Sequence, residues 1–475
     1  MPPASSESTS YGQPTNPDQP IRVAVIGAGP AGFYAAGHLL KQQDVNIEVD
    51  MFDRLPTPFG LVRHGVAPDH PKIKNVTKVF DRTAENTRFR FFGNVNCGQH
   101  LTPADFSRFY HQIIYTVGAQ TDRALGIPGE DLQGSHSATE FVAWYNGHPD
   151  YRDLKFDLSQ PNVTIVGVGN VAVDVARILC RTVDELKQTD IADYALEALA
   201  KSRVKKVVML GRRGPAQAAF SFPELKELGK MDDAQVRALA GEVALDELSK
   251  KNLAEHPDTT AQKKVDLLQQ YADEPDAGKS RELMIRFLVS PTNIIDNDGR
   301  VAGVDIVKNE LYETEGGGMR PRATDKIEHI DCGLIFRSVG YLGVPLEGVP
   351  FHAKWGVIPN EKGRITEEGQ PEPLVGAYCA GWIKRGPTGL IGTNKGDAIE
   401  TVQCMVEDMQ AGKTLAPEHP TAEAAEQFIR DKQPAYFSYD HWRSLDQHEL
   451  NLGIETGRPR VKLTTVASML EALGR

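Results

Sequence analysis

Residues 22–32 read Arg-Val-Ala-Val-Ile-Gly-Ala-Gly-Pro-Ala-Gly, and this stretch decides the fold. A short buried-strand pattern, Arg22–Ile26, runs straight into the glycines. Gly27 permits the tight turn, Gly29 lets the backbone approach a pyrophosphate, and Gly32 lets helix and strand pack closely. An Ala-rich helical pattern follows from Phe33 to about Gln42, and a second strand, Ile47–Phe52, ends at Asp53. That carboxylate lies about 20 residues beyond the last glycine, where an acid accepts the ribose hydroxyls of an adenosine. The helix N-terminus offers free N–H groups and partial positive charge to the phosphates. Strand, turn, helix, strand and acid, in that order, predict a dinucleotide-binding βαβ unit.

A second unit opens at Asn162–Val166 and turns through Gly167-Val168-Gly169-Asn170-Val171-Ala172. Ala172 replaces the third glycine, which the fingerprint allows. A helical pattern runs through Leu179, and a further helical stretch, Arg181–Ser202, lengthens the unit. The next strand, Val207–Leu210, ends at Gly211-Arg212-Arg213 rather than at an acid. An acid repels a 2′-phosphate, whereas two guanidiniums bind it through charge-assisted bonds. The second turn therefore favours NADP(H) over NAD(H). Two such folds mean two cofactors: FAD on the first, NADPH on the second, and hydride transfer between them.

Two further strand patterns, Ile113–Val117 and Leu334–Val339, end in small residues before Pro- and Gly-rich stretches. They read as the two crossings between domains. The expected division is a disordered tail over 1–20, the first part of an FAD-binding domain over 21–125, an NADP-binding domain over 126–339, and the rest of the FAD domain with a C-terminal extension over 340–475. The fold class is α/β: two Rossmann-like dinucleotide-binding domains, the NADP domain inserted into the FAD domain. Residues 231–282 read as a charged helical insertion.

The chain has 475 residues, 40% apolar and 25% charged, ordinary for a globular protein. A net charge of −11 excludes a general basic field for nucleic acid. Five scattered cysteines, none in CxxC spacing, exclude a disulfide redox centre, a zinc ribbon and an iron–sulfur cluster held by this chain. No apolar run is long enough to span a bilayer. The first 20 residues have neither the charged start and apolar stretch of a secretory signal nor the arginines of a mitochondrial leader. The expectation is a cytoplasmic protein, with the mitochondrial matrix as alternative.

The chain resembles the adrenodoxin reductase family, ferredoxin–NADP⁺ reductases of glutathione-reductase-like architecture. The resemblance is carried by residues 24–34, by Pro58–Arg63, by Gly65-Val66-Ala67-Pro68-Asp69-His70-Pro71, by Gly169–Arg177, by Gly211–Pro215 and by Gly381–Thr393. It covers the chain from about Ile21 onward. It implies FAD contacts at Ala31, Asp53, Leu61, Cys97, Trp382, Gly389, Leu390 and Ile391. It implies NADPH contacts at Val168, Gly169, Asn170, Val171, Arg212, Arg213, Glu224 and Gly389. Three positions depart from the family's pattern: Asp53 is often Glu, Cys97 stands where Val is usual, and Val168 replaces Gln or Asn. The family is mostly monomeric.

Two prolines flank His70 closely, which suits a side chain that must be aimed. The resemblance sets it by the flavin, relaying protons or orienting the ring, with Asp174 as partner. The resemblance also sets Trp382 near the flavin and nicotinamide end, and Gly386-Pro387-Thr388-Gly389 is expected to open a helix facing the flavin. The implied electron acceptor is a 2Fe–2S ferredoxin or adrenodoxin serving a cytochrome P450 or a biosynthetic enzyme. An acidic ferredoxin needs a basic face, for which Lys279, Arg281 and Arg286, with Lys226 nearby, are the candidates. A small-molecule flavin oxidoreductase and a non-catalytic dinucleotide sensor are the competing readings.

Overall fold

The computed structural model describes residues 20–475; the expected tail over 1–20 lies, but for Pro20, outside the described residues. Two sheets organise the chain. The first has seven strands in the order Asn360–Glu361, Arg364–Ile365, Ala377–Cys379, Gln112–Tyr115, Ile21–Ile26, Ile47–Phe52, Phe89–Phe92. From Ala377–Cys379 to Phe89–Phe92 every pairing is parallel. All six residues of Ile21–Ile26 are buried, as a strand covered on both faces requires. Arg22 is among them, and its guanidinium bonds Asp50 at 2.5 Å and Glu48 at 2.7 Å.

The second sheet has six parallel strands in the order Ser135–Ser137, Leu334–Arg337, Asn162–Val166, Lys206–Leu210, Arg281–Arg286, Ala234–Ala238. Ala234–Ala238 corrects the all-helical reading of 231–282. Its Ala234, Val236 and Ala238 are buried in the core, which favours a strand in this charged stretch. Between the sheets, the connecting pieces Thr121–Asp122 and Tyr341–Leu342 pair antiparallel, with Tyr341 opposite Asp122.

A third, antiparallel sheet of Val289–Asn297, Arg300–Glu313 and Met319–Asp331 was not anticipated. Val289, Ile294, Val304 and Ile306 pack with Val166, Val208, Leu210 and Ile335 of the second sheet. Its outer strand is mostly exposed and charged, so it carries little apolar signal.

Both glycine turns lie at the carboxyl ends of their strands, between two parallel neighbours. Ile26 pairs with Phe52 on one side and Tyr115 on the other. Val166 pairs in the same way with Leu210 and Arg337. This is the crevice where open α/β sheets bind ligands. Among the described residues, no helix is long and apolar enough to cross a membrane.

Candidate active site

The two turns are built alike. Gly27 has φ +109° and Gly167 φ +132°, and a Cβ on either would collide with backbone of the neighbouring strand end, at Thr116 and at Ser338. The middle glycines differ. A Cβ on Gly29 or Gly169 would meet nothing within 4 Å, so the front of each turn is open. Helices Pro30–Leu39 and Asn170–Cys180 start at these open fronts with no side-chain cap, leaving their first N–H groups for a ligand. The residues therefore fit two dinucleotides.

At the first turn, Asp53 accepts from Ala28 N at 2.8 Å and from Leu55 N at 2.9 Å. Burial raises its pKa, opposed by these two N–H groups. The carboxylate so fixes the turn, and its remaining lone pairs are the ones available for ribose. Ala31 is buried beneath the segment of Trp382: a Cβ on Gly381 would lie 2.6 Å from that of Ala31. Leu61 opens a short helix, Leu61–His64, behind Gly60, whose Cβ would approach Gly29 Cα at 3.0 Å. Cys97 lies near Leu101, and burial pushes its thiol up to about 12, so it is no nucleophile at neutral pH.

The Trp382 ring stands 5.4 Å from that of Tyr341 and donates from Nε1 to Thr388 O at 3.2 Å. Gly389, Leu390 and Ile391 follow, with Leu390 61% exposed. The helix expected to open at Gly386–Gly389 opens instead at Thr393, with Gly392 as N-cap. Gly386 and Gly389 have φ of +81° and +78°, which a right-handed helix excludes.

At the second turn, Val168 O accepts from Ala219 N and Phe220 N, and Asn170 Oδ1 accepts from Ser221 N at 2.8 Å. Val171 is half-buried. These bonds stitch the turn to the helix Phe222–Leu228. Arg212 is exposed at the strand end. Arg213 donates to Gln217 O at 3.3 Å, and its pKa is lowered by burial and then by Arg212. Two adjacent guanidiniums repel each other, and an anion between them relieves the repulsion.

His70 lies where the two sheet-centred halves meet, and the ion-pair network around it was only partly legible. His70 Nε2 bonds Glu227 at 2.7 Å, and Nδ1 lies 3.5 Å from Glu224. Asp174 is not its direct partner, which corrects the expected pairing: Asp174 accepts from Arg177 Nη2 at 2.6 Å. The fully buried Arg177 also bonds Glu224 at 2.9 Å and Asp69 at 2.6 Å. Burial pushes Asp174 up to about 7; Arg177 opposes this and Glu224 adds to it. Burial would raise Asp69 too, but Arg177 holds it below its usual value. Arg177 and Glu227 were missed as members. The Asp174–Arg177 spacing of one helical turn was the signal for the first.

Of the three basic candidates, Arg286 is corrected. Arg286 is buried, gripped by Glu242 and Glu328, each at 2.8 Å. Lys279 donates to Met231 O at 2.6 Å, and Arg281 to Cys180 O and Arg181 O. Lys279 and Arg281 are half-buried. Lys226 is exposed.

Two matching nucleotide turns, one closed by an acid and one by paired arginines, define a two-dinucleotide oxidoreductase. Comparison with known proteins narrows the class. Residues 21–210 match the family described as pyridine nucleotide-disulphide oxidoreductase. NADPH-ferredoxin reductase FprA of Mycobacterium tuberculosis is 44% identical over 461 residues, covering 95% of this chain and 99% of that one. NADPH:adrenodoxin oxidoreductase, mitochondrial, of Salvelinus fontinalis is 38% identical, covering 96% and 92%. The solved structure described as Mycobacterium tuberculosis FprA in complex with NADPH superposes with a TM-score of 0.89 at 43% identity, over 96% of this chain and 100% of that one. The chain belongs to the family of NADPH–ferredoxin and adrenodoxin reductases.

Proposed function

We propose that this chain is an NADPH-dependent ferredoxin reductase: a hydride passes from NADPH to FAD, and single electrons pass on to a 2Fe–2S ferredoxin. The observation that carries the reading is the contrast between two otherwise matching turns, Asp53 closing one and Arg212-Arg213 the other. FAD, when bound, supplies the change from two-electron to one-electron transfer. The chain's own residues bind and orient. Gly27, Gly29, Ala31, Gly32 and Asp53 hold the adenosine and pyrophosphate of FAD. Leu61, Cys97, Trp382 and Gly389–Ile391 line its flavin end. Val168–Val171, Arg212 and Arg213 hold NADPH, and Asn170 keeps that turn in register with the helix bearing Glu224. Trp382, held by Tyr341 and Thr388, would cover the approach between the two rings. His70, held by its bond with Glu227, orients the flavin side, and Asp174 tunes the charge around it through Arg177. The ferredoxin passes electrons to a cytochrome P450 or a biosynthetic enzyme, and the bacterial relatives favour a cytoplasmic setting. Lys279 and Arg281, with the exposed Lys226 nearby, are the docking candidates, whereas Arg286 is taken up by Glu242 and Glu328.

The test is anaerobic reduction of the yellow protein by NADPH and by NADH, followed by addition of a 2Fe–2S ferredoxin and cytochrome c. NADPH is expected to bleach the flavin faster, with cytochrome reduction dependent on ferredoxin. Bleaching without ferredoxin dependence would point to a small-molecule oxidoreductase, and absence of bleaching to a nucleotide sensor.

A further inference from the structure

The segment after helix Tyr439–Thr456 crosses from the first-sheet half of the molecule to the second. Gly457 caps the helix in the left-handed region at φ +70°, turning the chain outward. Arg458 then donates to Thr189 O, to Ile191 O and to the Asp193 carboxylate, all in the second half. Lys462, buried, donates to Asn146 O of the second half at 3.1 Å and to Arg63 O of the first at 3.2 Å. Its Nζ also lies 3.4 Å from Asp190, which takes Lys74 of the first half through both oxygens at 2.7 Å. Burial pushes Lys462 well below its usual range; Asp190 opposes this, while Lys74, Arg63 and Arg460 add to it.

The base of this segment is anchored in the first half. Fully buried Glu449 grips Arg63 at 2.6 and 2.9 Å, Arg460 at 2.8 Å and Leu463 N at 2.9 Å. Arg63 and Lys74 belong to the same stretch of chain as Leu61 and His70. A displacement of the segment is thereby carried to the flavin side and the nucleotide side together.

We infer that residues 457–465 form a positioning strap, in which Arg458 and Lys462 hold the second-sheet half at the separation that brings nicotinamide to flavin. The inference rests on the NADPH-to-FAD reading. Hydride transfer demands reacting atoms about 3–3.5 Å apart, and a misplacement of about 1 Å costs on the order of a hundredfold in rate. Both residues act through the halves they join.

The experiment is stopped-flow reduction of the FAD-loaded full chain by saturating NADPH, in wild type, Arg458→Ala, Asp193→Ala, Lys462→Met and Arg458→Lys. The first three are expected to slow flavin reduction about tenfold or more, with NADPH affinity changed less than about threefold. Arg458→Lys is expected to recover much of the rate. As a control, Arg430→Ala breaks a 2.9 Å pair with Glu426 inside one half and is expected to leave the rate unchanged. Asp193 is 57% exposed, so its variant carries the test even if Lys462→Met fails to fold. Wild-type rates in flavin-loaded Arg458→Ala and Asp193→Ala would overturn the strap. Failure of wild type itself to be reduced by NADPH would instead overturn the functional reading.

Discussion

Asp174 concentrates the chemistry of the interface in one carboxyl. Its value of about 7 in the folded chain lies well above the ordinary 3.8. Between those values the native state keeps a proton that the unfolded state has released, so stability from this group is present at low pH and is lost as pH rises through about 7. Asp174→Asn removes the dependence. The difference in melting temperature, wild type minus variant, is expected to fall from pH 5 to pH 8, and a flat difference would reject the assignment. At the second turn, Arg212→Ala with Arg213→Ala is expected to raise the NADPH KM far more than the NADH KM. Each lost charge-assisted bond costs about 1.5–3 kcal/mol. Equal effects on both nucleotides would end the case for a 2′-phosphate site. These residues were legible because each turn is local: strand, glycines, helix start and strand-end charge follow in one short stretch. Arg286 was not legible. Its charge is cancelled by Glu242 and Glu328, 44 and 42 residues away, and nothing local in the sequence announces that burial.

At the scale of elements, the two βαβ units differ at one revealing place. The second tolerates Ala172 at the third turn position, where the first has Gly32. A Cβ on Gly32 would collide with Gly27 O and lie 2.9 Å from Thr116 Oγ1. Gly32→Ala is therefore expected to yield a chain that binds NADP(H) but purifies with little flavin, measured by the absorbance ratio at 450 and 280 nm in any buffer. Normal flavin content would show that this turn relaxes as the second one does. The helices beginning at each turn were readable from their small and apolar residues. The three-stranded sheet was not, because its outer strand presents charges to solvent and buries few residues.

At the scale of the molecule, a set of ion pairs and hydrogen bonds joins the two halves. Asp69 with Arg177, His70 with Glu227, Lys74 with Asp190, and the strap with residues 146 and 189–193 all cross the junction. Glu449 anchors the strap from a fully buried position, with its pKa lowered because Arg63 and Arg460 outweigh burial. Glu449→Ala leaves the buried Arg63 guanidinium without a carboxylate, while Arg460 keeps Asp446 at 2.6 Å, and an orphaned buried charge costs roughly 3–5 kcal/mol. A clearly lower apparent melting temperature at pH 7 is the expected outcome, and an unchanged one would show that the Arg63 guanidinium relaxes to solvent. None of this was visible in sequence: Arg63 and Glu449 are 386 residues apart, and Lys462 and Asn146 are 316.

The pairing of Gln112–Tyr115 with Ala377–Cys379 has a consequence during synthesis. Every strand of the second sheet is made between those two segments. At about 5–20 residues per second, roughly 260 residues and some tens of seconds separate the making of the two partners on the ribosome. Through that interval the first sheet waits with an open edge at Gln112–Tyr115, while the second has all its strands and can close. Nascent chains stalled near residue 380 are expected to protect the 135–337 stretch from protease and leave 21–115 cleavable. Equal protection of both would mean that the host half closes without its last strand.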